Sequence, residues 1–459
     1  MRRLADLHGY QAAAVGFLYD RPGAALFAAM GLGKTGIVLT LLARLKREGL
    51  LGRALVIGPL RVVNETWPDE IGAWSHTKGL TFSVVTGTAK KRLPALETPA
   101  DLHLTNRENV EWLVSQFVRP KGKKWEMYRR WPYDVVVVDE LTGFGDASSK
   151  RFRALKLVRK HVKRLYGLTA SPAAEGFMKM FAMCYLLDGG ERLGTHITRY
   201  REAYFSQNPY TYQWTIRPGA DERITEKIAD VVLTLRRERK PEDLPTYIDR
   251  RVHLTDAQMK QYRDFERDLY MQAADGTEIT AVHAAALSTK LLQLSSGFIY
   301  DADRKPHFVH TAKIDALAEL VEEAQGEPMI CAYWFKPSLA MLKEAFPQGR
   351  VLDEKGETQR AWNAGKVPLL FLHPMSGGFG INLQAGGSVL AFYDMPAPYE
   401  KYEQTVGRID RQGQTRPVRV YHLIAAGTAD EDAVERLSRK EDVQNAFFER
   451  IREFKETNP

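Results

Sequence analysis

The stretch Ala28-Ala29-Met30-Gly31-Leu32-Gly33-Lys34-Thr35 constrains what this chain can fold into more than any other segment. The apolar run Ala24-Ala25-Leu26-Phe27 before it reads as a short buried strand. The segment Gly36–Leu45 after it has the apolar content of a core-facing helix and meets a stop at Gly49. A strand, a glycine loop ending in Lys-Thr and a helix make the context of a phosphate site. Gly31 and Gly33 let backbone N–H groups curl around an anion where a β-carbon would crowd it. The helix N-terminus adds partial positive charge. Lys34 is placed to reach β- and γ-phosphates, and the Thr35 hydroxyl to ligate magnesium. The pattern asks for a glycine where Ala28 stands. The segment therefore implies a nucleoside triphosphate and is silent on what the energy drives.

A chain of 459 residues can hold two or three domains, each with a full core, and its 44% hydrophobic and 27% charged content is that of a globular protein. The two cysteines, Cys184 and Cys331, lie far apart among apolar or aromatic residues, which argues against a disulfide scaffold or a cysteine zinc site and for buried free thiols. No apolar run approaches the ~18–20 residues of a membrane span, and Met1–Asp6 lacks a signal-peptide core. No membrane partner is expected, and the expected location is the cytoplasm. The net charge of +8 suits a polyanionic partner. Its basic residues cluster at Arg119–Lys124, Arg129-Arg130, Lys150–Arg153 and Lys156–Arg164. A solvated surface and a nucleic-acid track both account for such clusters. Trp125, Tyr128 and Trp131 interleave with one of them, where they could stack on bases or belong to the core.

Strand-like and helix-like segments alternate along the first part, as in an α/β sheet. The strands are expected at Ala24–Phe27, Ala54–Ile57, Phe82–Val85, Asp101–Leu104, Val135–Val138 and Arg164–Leu168, with helices at Gly36–Glu48, Val63–Trp74 and Arg151–Lys160. The run Val135–Val138 is what a parallel strand buried on both faces requires. From about Pro172 to Leu244 the pattern is mostly helical, and Pro241–Pro245 reads as a linker because two prolines stop any helix crossing it. An amphipathic stretch follows at Asp256–Ala273. A second series of strands is expected at Met329–Tyr333, Arg350–Leu352, Pro368–Leu372, Val389–Tyr393 and Val418–Leu423, and a charged helix over Asp432–Arg439 or longer. The division expected is 1–172, 173–244 and 245–459.

Val135–Val138 leads directly into Asp139-Glu140, placing both acids on the ligand-binding edge of a parallel sheet. Asp139 is the candidate magnesium anchor and Glu140 the candidate base that orients water. Near the other end, Arg408 and Arg411 stand three apart in Gln404–Gln414 and would share one face if helical. They are candidate arginine fingers for charge developing on a γ-phosphate.

The ordered set Leu7–Gln11, Met30–Thr35, Gly58–Leu60, Asp139–Thr142, Leu168–Pro172, Gly377–Gln384 and Gln404–Gln414 resembles a superfamily 2 helicase-type ATPase, and most closely the Swi/Snf-like branch. Gly407-Arg408-x-x-Arg411-Gln412-Gly413-Gln414 is similar to that branch's ending, and Leu187–Gly194 and Ala361–Lys366 look like compact phage and prophage members. The likeness covers nearly the whole chain. It implies two tandem RecA-like lobes, parallel sheets flanked by helices, with a mostly helical insertion between them. ATP with Mg2+ would bind Met30, Gly31, Leu32, Gly33, Lys34 and Thr35, with Gln11 reading the adenine edge. Gly380 and Asn382 would lie between ATP and the second lobe, and Thr169 and Ser171 would couple phosphate state to nucleic acid. Pro59, Thr105, Asn106, Ser376 and Gly377 would lie near nucleic-acid phosphates. Three departures stand out: Ala28 for glycine, Leu141-Thr142 for Ala-His or Ala-Asp, and Ala170-Ser171 for Gly-Thr.

The reading that results is an ATP-dependent motor that translocates on or remodels DNA, duplex or forked and independent of sequence, acting as a monomer. Replication or recombination proteins are candidate partners. A strand-separating helicase and a nucleotide-gated DNA-binding subunit with little motor output stay open beside it.

Overall fold

A computed structural model describes residues 1–209, 212–236, 243–274, 281–301, 303–353, 356–375 and 381–457. The first sheet is built from Gly23–Ala28 (β1), Ala54–Gly58 (β2), Phe82–Val84 (β3), Leu102–Asn106 (β4), Val135–Asp139 (β5), Arg164–Thr169 (β6) and Val232–Leu235 (β7). Its order is β7-β1-β6-β5-β2-β4-β3, and every pair is parallel. Alternate residues feed two cores. Phe27, Leu55, Ile57, Val136 and Val138 face one side. Leu26, Val56, Val135 and Val137 face the other. Strands buried on both faces need such apolar runs, which is why they could be read from the sequence.

The second sheet contains Thr246–Val252 (β8), Met329–Ala332 (β9), Arg350–Val351 (β10), Leu369–Leu372 (β11), Val389–Phe392 (β12) and Arg419–Ala425 (β13). Its order is β8-β13-β12-β9-β11-β10, again all parallel. It splits the same way, with Ile330, Leu370 and Leu390 on one face and Met329, Leu369 and Val389 on the other. Both cysteines are free and buried, as expected. No helix among the described residues is long and apolar enough to cross a membrane.

Between the sheets, helices Met180–Asp188, Ile197–Tyr204 and Ala220–Ile228 dominate, as the sequence implied. The same stretch also returns β7 to the edge of the first sheet, beside β1. Pro241 and Glu242 of the expected linker lie outside the described residues. The expected helix at Val63–Trp74 begins as a π-helical turn, Val62–Thr66, and becomes α-helical over Trp67–Ala73.

The C-terminal helix is far longer than its expected core and runs Ala429–Thr457. At 1.5 Å per residue its 29 residues extend about 43 Å, enough to reach across both lobes. Ala433 and Leu437 pack with the second sheet, whereas Phe447, Phe448 and Ile451 are buried in the first. The Phe447 ring lies 6.0 Å from both Phe27 and Phe177. The Gln444 carboxamide oxygen accepts from the Ala173 and Ala174 backbone N–H groups at 2.8 and 3.0 Å. This helix therefore straps the second lobe to the first.

Candidate active site

Because the first sheet is wholly parallel, the carboxyl ends of β1, β2, β5 and β6 open onto one edge. The phosphate loop leaves β1 there, with Gly31 at φ +82° and Gly33 at φ +76°. These are the positions where only glycine is unstrained. Ala28, where the pattern wants glycine, is the last residue of β1 and pairs in register with Leu235. Its backbone is extended strand, so an alanine costs nothing there. Gly33 caps the helix Lys34–Arg47, whose last turn carries Arg44, Lys46 and Arg47 against the negative end of the dipole. The Lys34 Nζ donates to the Ala28 and Ala29 carbonyls at 2.6 and 3.4 Å.

A cleft of about 420 Å³ opens over this loop. The first lobe lines it with Gly31, Gly33, Lys34, Thr35, Asp139 and Glu140, and the second with Asn382, Gln384, Arg411 and Gln412. Asp139 accepts a 3.0 Å hydrogen bond from the Trp67 indole N–H. Glu140 follows at φ +60°, a left-handed conformation rare for a glutamate, and its Oε2 is buried with no hydrogen-bond partner among the described residues. Burial first, and the Glu400 charge second, push the Glu140 carboxyl up to about 8. Burial raises Asp139 as well. It lowers Lys34, against the opposing pull of Glu140, Asp139 and Glu403. A buried carboxyl oxygen without a hydrogen-bond partner, on a group whose proton affinity burial has raised, is characteristic of a functional site.

The two arginines are brought to the same place but not by a shared helical face. The helix Tyr399–Val406 ends at Gly407, and residues 407–410 turn away from it. Arg411 lines the cleft, and burial lowers its guanidinium from the usual value. Arg408 sits behind it, donating to the Pro374 carbonyl at 3.4 Å. Burial, then the charges of Arg411 and Arg61, bring Arg408 down to about 10. Gly407 packs closely on the phosphate loop: a Cβ there would stand 2.8 Å from the Met30 Sδ, and that side chain would have to shift.

Gln11 reaches the loop, yet both ends of its carboxamide are engaged. Its Nε2 donates to the Leu32 carbonyl at 3.2 Å, and its Oε1 accepts from the His8 backbone N–H at 3.0 Å. Gly380, Ser376 and Gly377 lie outside the described residues. Three of the residues expected at nucleic acid lie among the described residues. Pro59 is a wall of the nucleotide cleft. Thr105 is fully buried with its hydroxyl donating to the Val85 carbonyl at 2.9 Å. Asn106 is buried, its side chain bonded to Glu108 and Asn109. The side chains of Thr105 and Asn106 are thus spent within the lobe, because each closes a polar contact at the end of β4.

Sequence reasoning missed several neighbours. Trp67 could have been suspected, as a buried indole N–H must find an acceptor. Glu400 and Glu403, on the helix Tyr399–Val406, carried no signal. Glu403 accepts a short hydrogen bond from the Ser171 hydroxyl, and Glu400 a 3.4 Å one from Thr142. Two of the three departures from the family pattern therefore touch the second lobe. At the cleft's rim Arg2 pairs with Glu70 at 2.8 Å and lies over Trp74.

The SNF2-related domain family matches residues 10–295, well over half of the chain. The chain belongs to the SNF2-related family. It is a Swi/Snf-like ATPase core of helicase superfamily 2. A putative protein, p41, of Acyrthosiphon pisum secondary endosymbiont phage 1 is 34% identical, covering 96% of this chain and 98% of its own. An uncharacterized ATP-dependent helicase of Mycoplasma genitalium is 23% identical over 94% of this chain, which spans only 41% of that protein. Among solved structures, a Sulfolobus solfataricus SWI2/SNF2 ATPase core in complex with dsDNA is similar at TM-score 0.45 and 20% identity, covering 95% of this chain and 92% of that one.

Proposed function

We propose that this SNF2-related ATPase hydrolyses ATP in the cleft between its lobes and uses the cycle to move along DNA. The observation that carries the reading is the cleft's shared lining, with Lys34, Asp139 and Glu140 from one lobe and Arg411 from the other. Lys34 leaves the Ala28 carbonyl to hold the β/γ-phosphates, alongside the backbone N–H groups of the loop Met30–Gly33. Glu140 accepts a proton from the attacking water. Arg411, with Arg408 behind it, meets the charge that develops on the transferred phosphoryl group. The Thr35 hydroxyl and Asp139 line the same wall and suit a hard cation with oxygen ligands. Magnesium, when bound with the nucleotide, supplies charge neutralisation at the phosphate oxygens.

A nucleotide contacted from both lobes binds the closed arrangement better than the open one, which is the differential affinity a conformational cycle needs. Ser171 and Thr142, at the ends of β6 and β5, pass that closure to the helix Tyr399–Val406 through Glu403 and Glu400. The division into a first lobe at 1–172, a helical linker region at 173–244 and a second lobe at 245–459 belongs to this proposal, with the strap of Ala429–Thr457 returning to the first lobe. The net charge of +8 suits a DNA backbone. Backbone contacts carry no sequence information, so binding should be nonspecific and salt-sensitive.

The test is ATP turnover with duplex, forked and single-stranded DNA and with RNA, joined to a triplex-displacement assay. Stimulation by duplex with displacement of the third strand supports translocation. Turnover indifferent to every nucleic acid contradicts it.

A further inference from the structure

One basic cluster has no part in the cleft. The segment Val118–Lys121 pairs antiparallel with Lys124–Met127, forming an exposed hairpin ahead of β5. The hairpin belongs to the amino edge of the first sheet, and Asp139 stands at the other end of β5. The strand's five residues make four steps of about 3.3 Å, which put about 13 Å between its two ends. Beside the hairpin, Arg53, Arg130, His161 and Lys163 line an open groove of about 650 Å³ together with Met127.

The three aromatic residues in this cluster have different fates. Trp131 is core. Tyr128 is tied down, its hydroxyl donating to the Ser115 carbonyl at 2.9 Å. Trp125 is 57% exposed. By strand alternation it shares a ribbon face with Met127, which lines the groove. The opposite face carries Lys124 together with Arg119 and Lys121, the last two paired to Glu126. The nearby acids are already engaged. Glu97 holds Arg129 at 2.8 Å, and Asp134 accepts from the backbone N–H groups of Gly52 and Arg53. Lys123, Lys124 and Arg130 are exposed and make no ion pair among the described residues.

We propose that this hairpin and groove bind single-stranded DNA, with Trp125 stacking on an unpaired base while Lys123 of the turn and Arg130 of the groove hold the phosphates. An open indole face beside unpaired cations is what sequence-tolerant strand binding needs, and a base kept inside a duplex would not offer its face to it. The surface rests on the DNA reading above but lies on the opposite edge from the nucleotide cleft, so the two can fail separately.

The test is binding of a short oligothymidylate to the full chain by fluorescence anisotropy across a salt series, with duplex-stimulated ATP turnover measured in parallel. Trp125→Ala should weaken oligothymidylate binding about tenfold, Trp125→Phe should keep most of it, and duplex-stimulated turnover should not change. A Lys123→Ala, Arg130→Ala double variant should flatten the salt dependence. Oligothymidylate affinity unchanged in both the Trp125→Ala and the Lys123→Ala, Arg130→Ala variants overturns the proposal. Equal loss of duplex binding, or tighter binding of oligouridylate than oligothymidylate, overturns the assignment to unpaired DNA. A wild-type chain whose turnover ignores DNA, but whose oligothymidylate binding still needs Trp125, refutes the motor reading and leaves this surface standing.

Discussion

Replacing Phe447 with alanine should release the end of the C-terminal helix from the first lobe. The ring is fully buried, 6.0 Å from Phe27 on the strand that feeds the phosphate loop and 6.0 Å from Phe177. Truncating a buried phenylalanine costs about 3–5 kcal/mol in lost transfer and cavity terms. The remaining contacts of this segment are weaker. Arg450 pairs with Asp221 and Glu222, and Arg236 with Glu449, all partly exposed. Such pairs contribute about 0–1 kcal/mol each. The Gln444 bonds add about 1 kcal/mol apiece. Phe448 and Ile451 stay apolar anchors, but they flank the new cavity. The loss is thus of the same order as everything that remains. Hydrogen exchange is the assay, because it resolves local opening from global unfolding. Amides of residues 444–457 should lose protection in Phe447→Ala while the strands of the second sheet keep theirs. Unchanged protection over 444–457, with under about 1 kcal/mol lost in denaturant unfolding, would refute the strap.

The Glu140 carboxyl, raised to about 8, makes ATP turnover pH-dependent. As a base it acts only when ionised, so at pH 7 about one molecule in ten is competent, and kcat/KM should climb toward a plateau above about pH 8. Glu400→Gln removes a like charge and should move that limb to lower pH; a flat profile from pH 6 to 9 would contradict the assignment. The same shift has a stability sign. The folded state holds this proton more tightly than the unfolded chain, so the nucleotide-free fold loses stability as pH rises from about 4.5 toward 8, which denaturant titrations at several pH values can check. Gly407→Ala should weaken ATP binding several-fold by pushing a Cβ into Met30, and Met30→Ala should restore part of it in the double variant. Strict additivity of the two substitutions would show that the contact is not what matters.

Much of this architecture is legible in the sequence. Val135–Val138 reads as a strand buried on both faces, Ala24–Phe27 as a short buried strand, and Gly31 and Gly33 as the residues that let the loop curl around an anion. Those signals are local, set by β-branching and by the missing β-carbon. Contacts between distant segments left no such trace. The helix period of Ala429–Thr457 marks apolar positions but not which lobe receives them. Phe447 meets a strand more than four hundred residues earlier. Arg408 and Arg411 were read as one helical face, yet Gly407 ends the helix, and the turn sends Arg411 into the cleft with Arg408 behind it. Thr105 and Asn106 were matched by position alone, and the bonds of their side chains to Val85, Glu108 and Asn109 left no local trace. The edge strand Val232–Leu235 sits in a mostly helical stretch and is a strand because β1 offers it a free edge.

The central claim is that the catalytic site exists only when both lobes contribute to it. Steady-state ATP turnover of Arg411→Ala, set beside Lys34→Ala, tests this most directly. Lys34→Ala should abolish turnover from the first lobe's side. Arg411→Ala should lower kcat by about 10³-fold or more while leaving KM for ATP nearly unchanged, because the arginine meets charge that develops only in the transition state. If Arg411→Ala instead keeps kcat and mainly raises KM, the second lobe only helps to hold ATP, and the shared-site account is wrong.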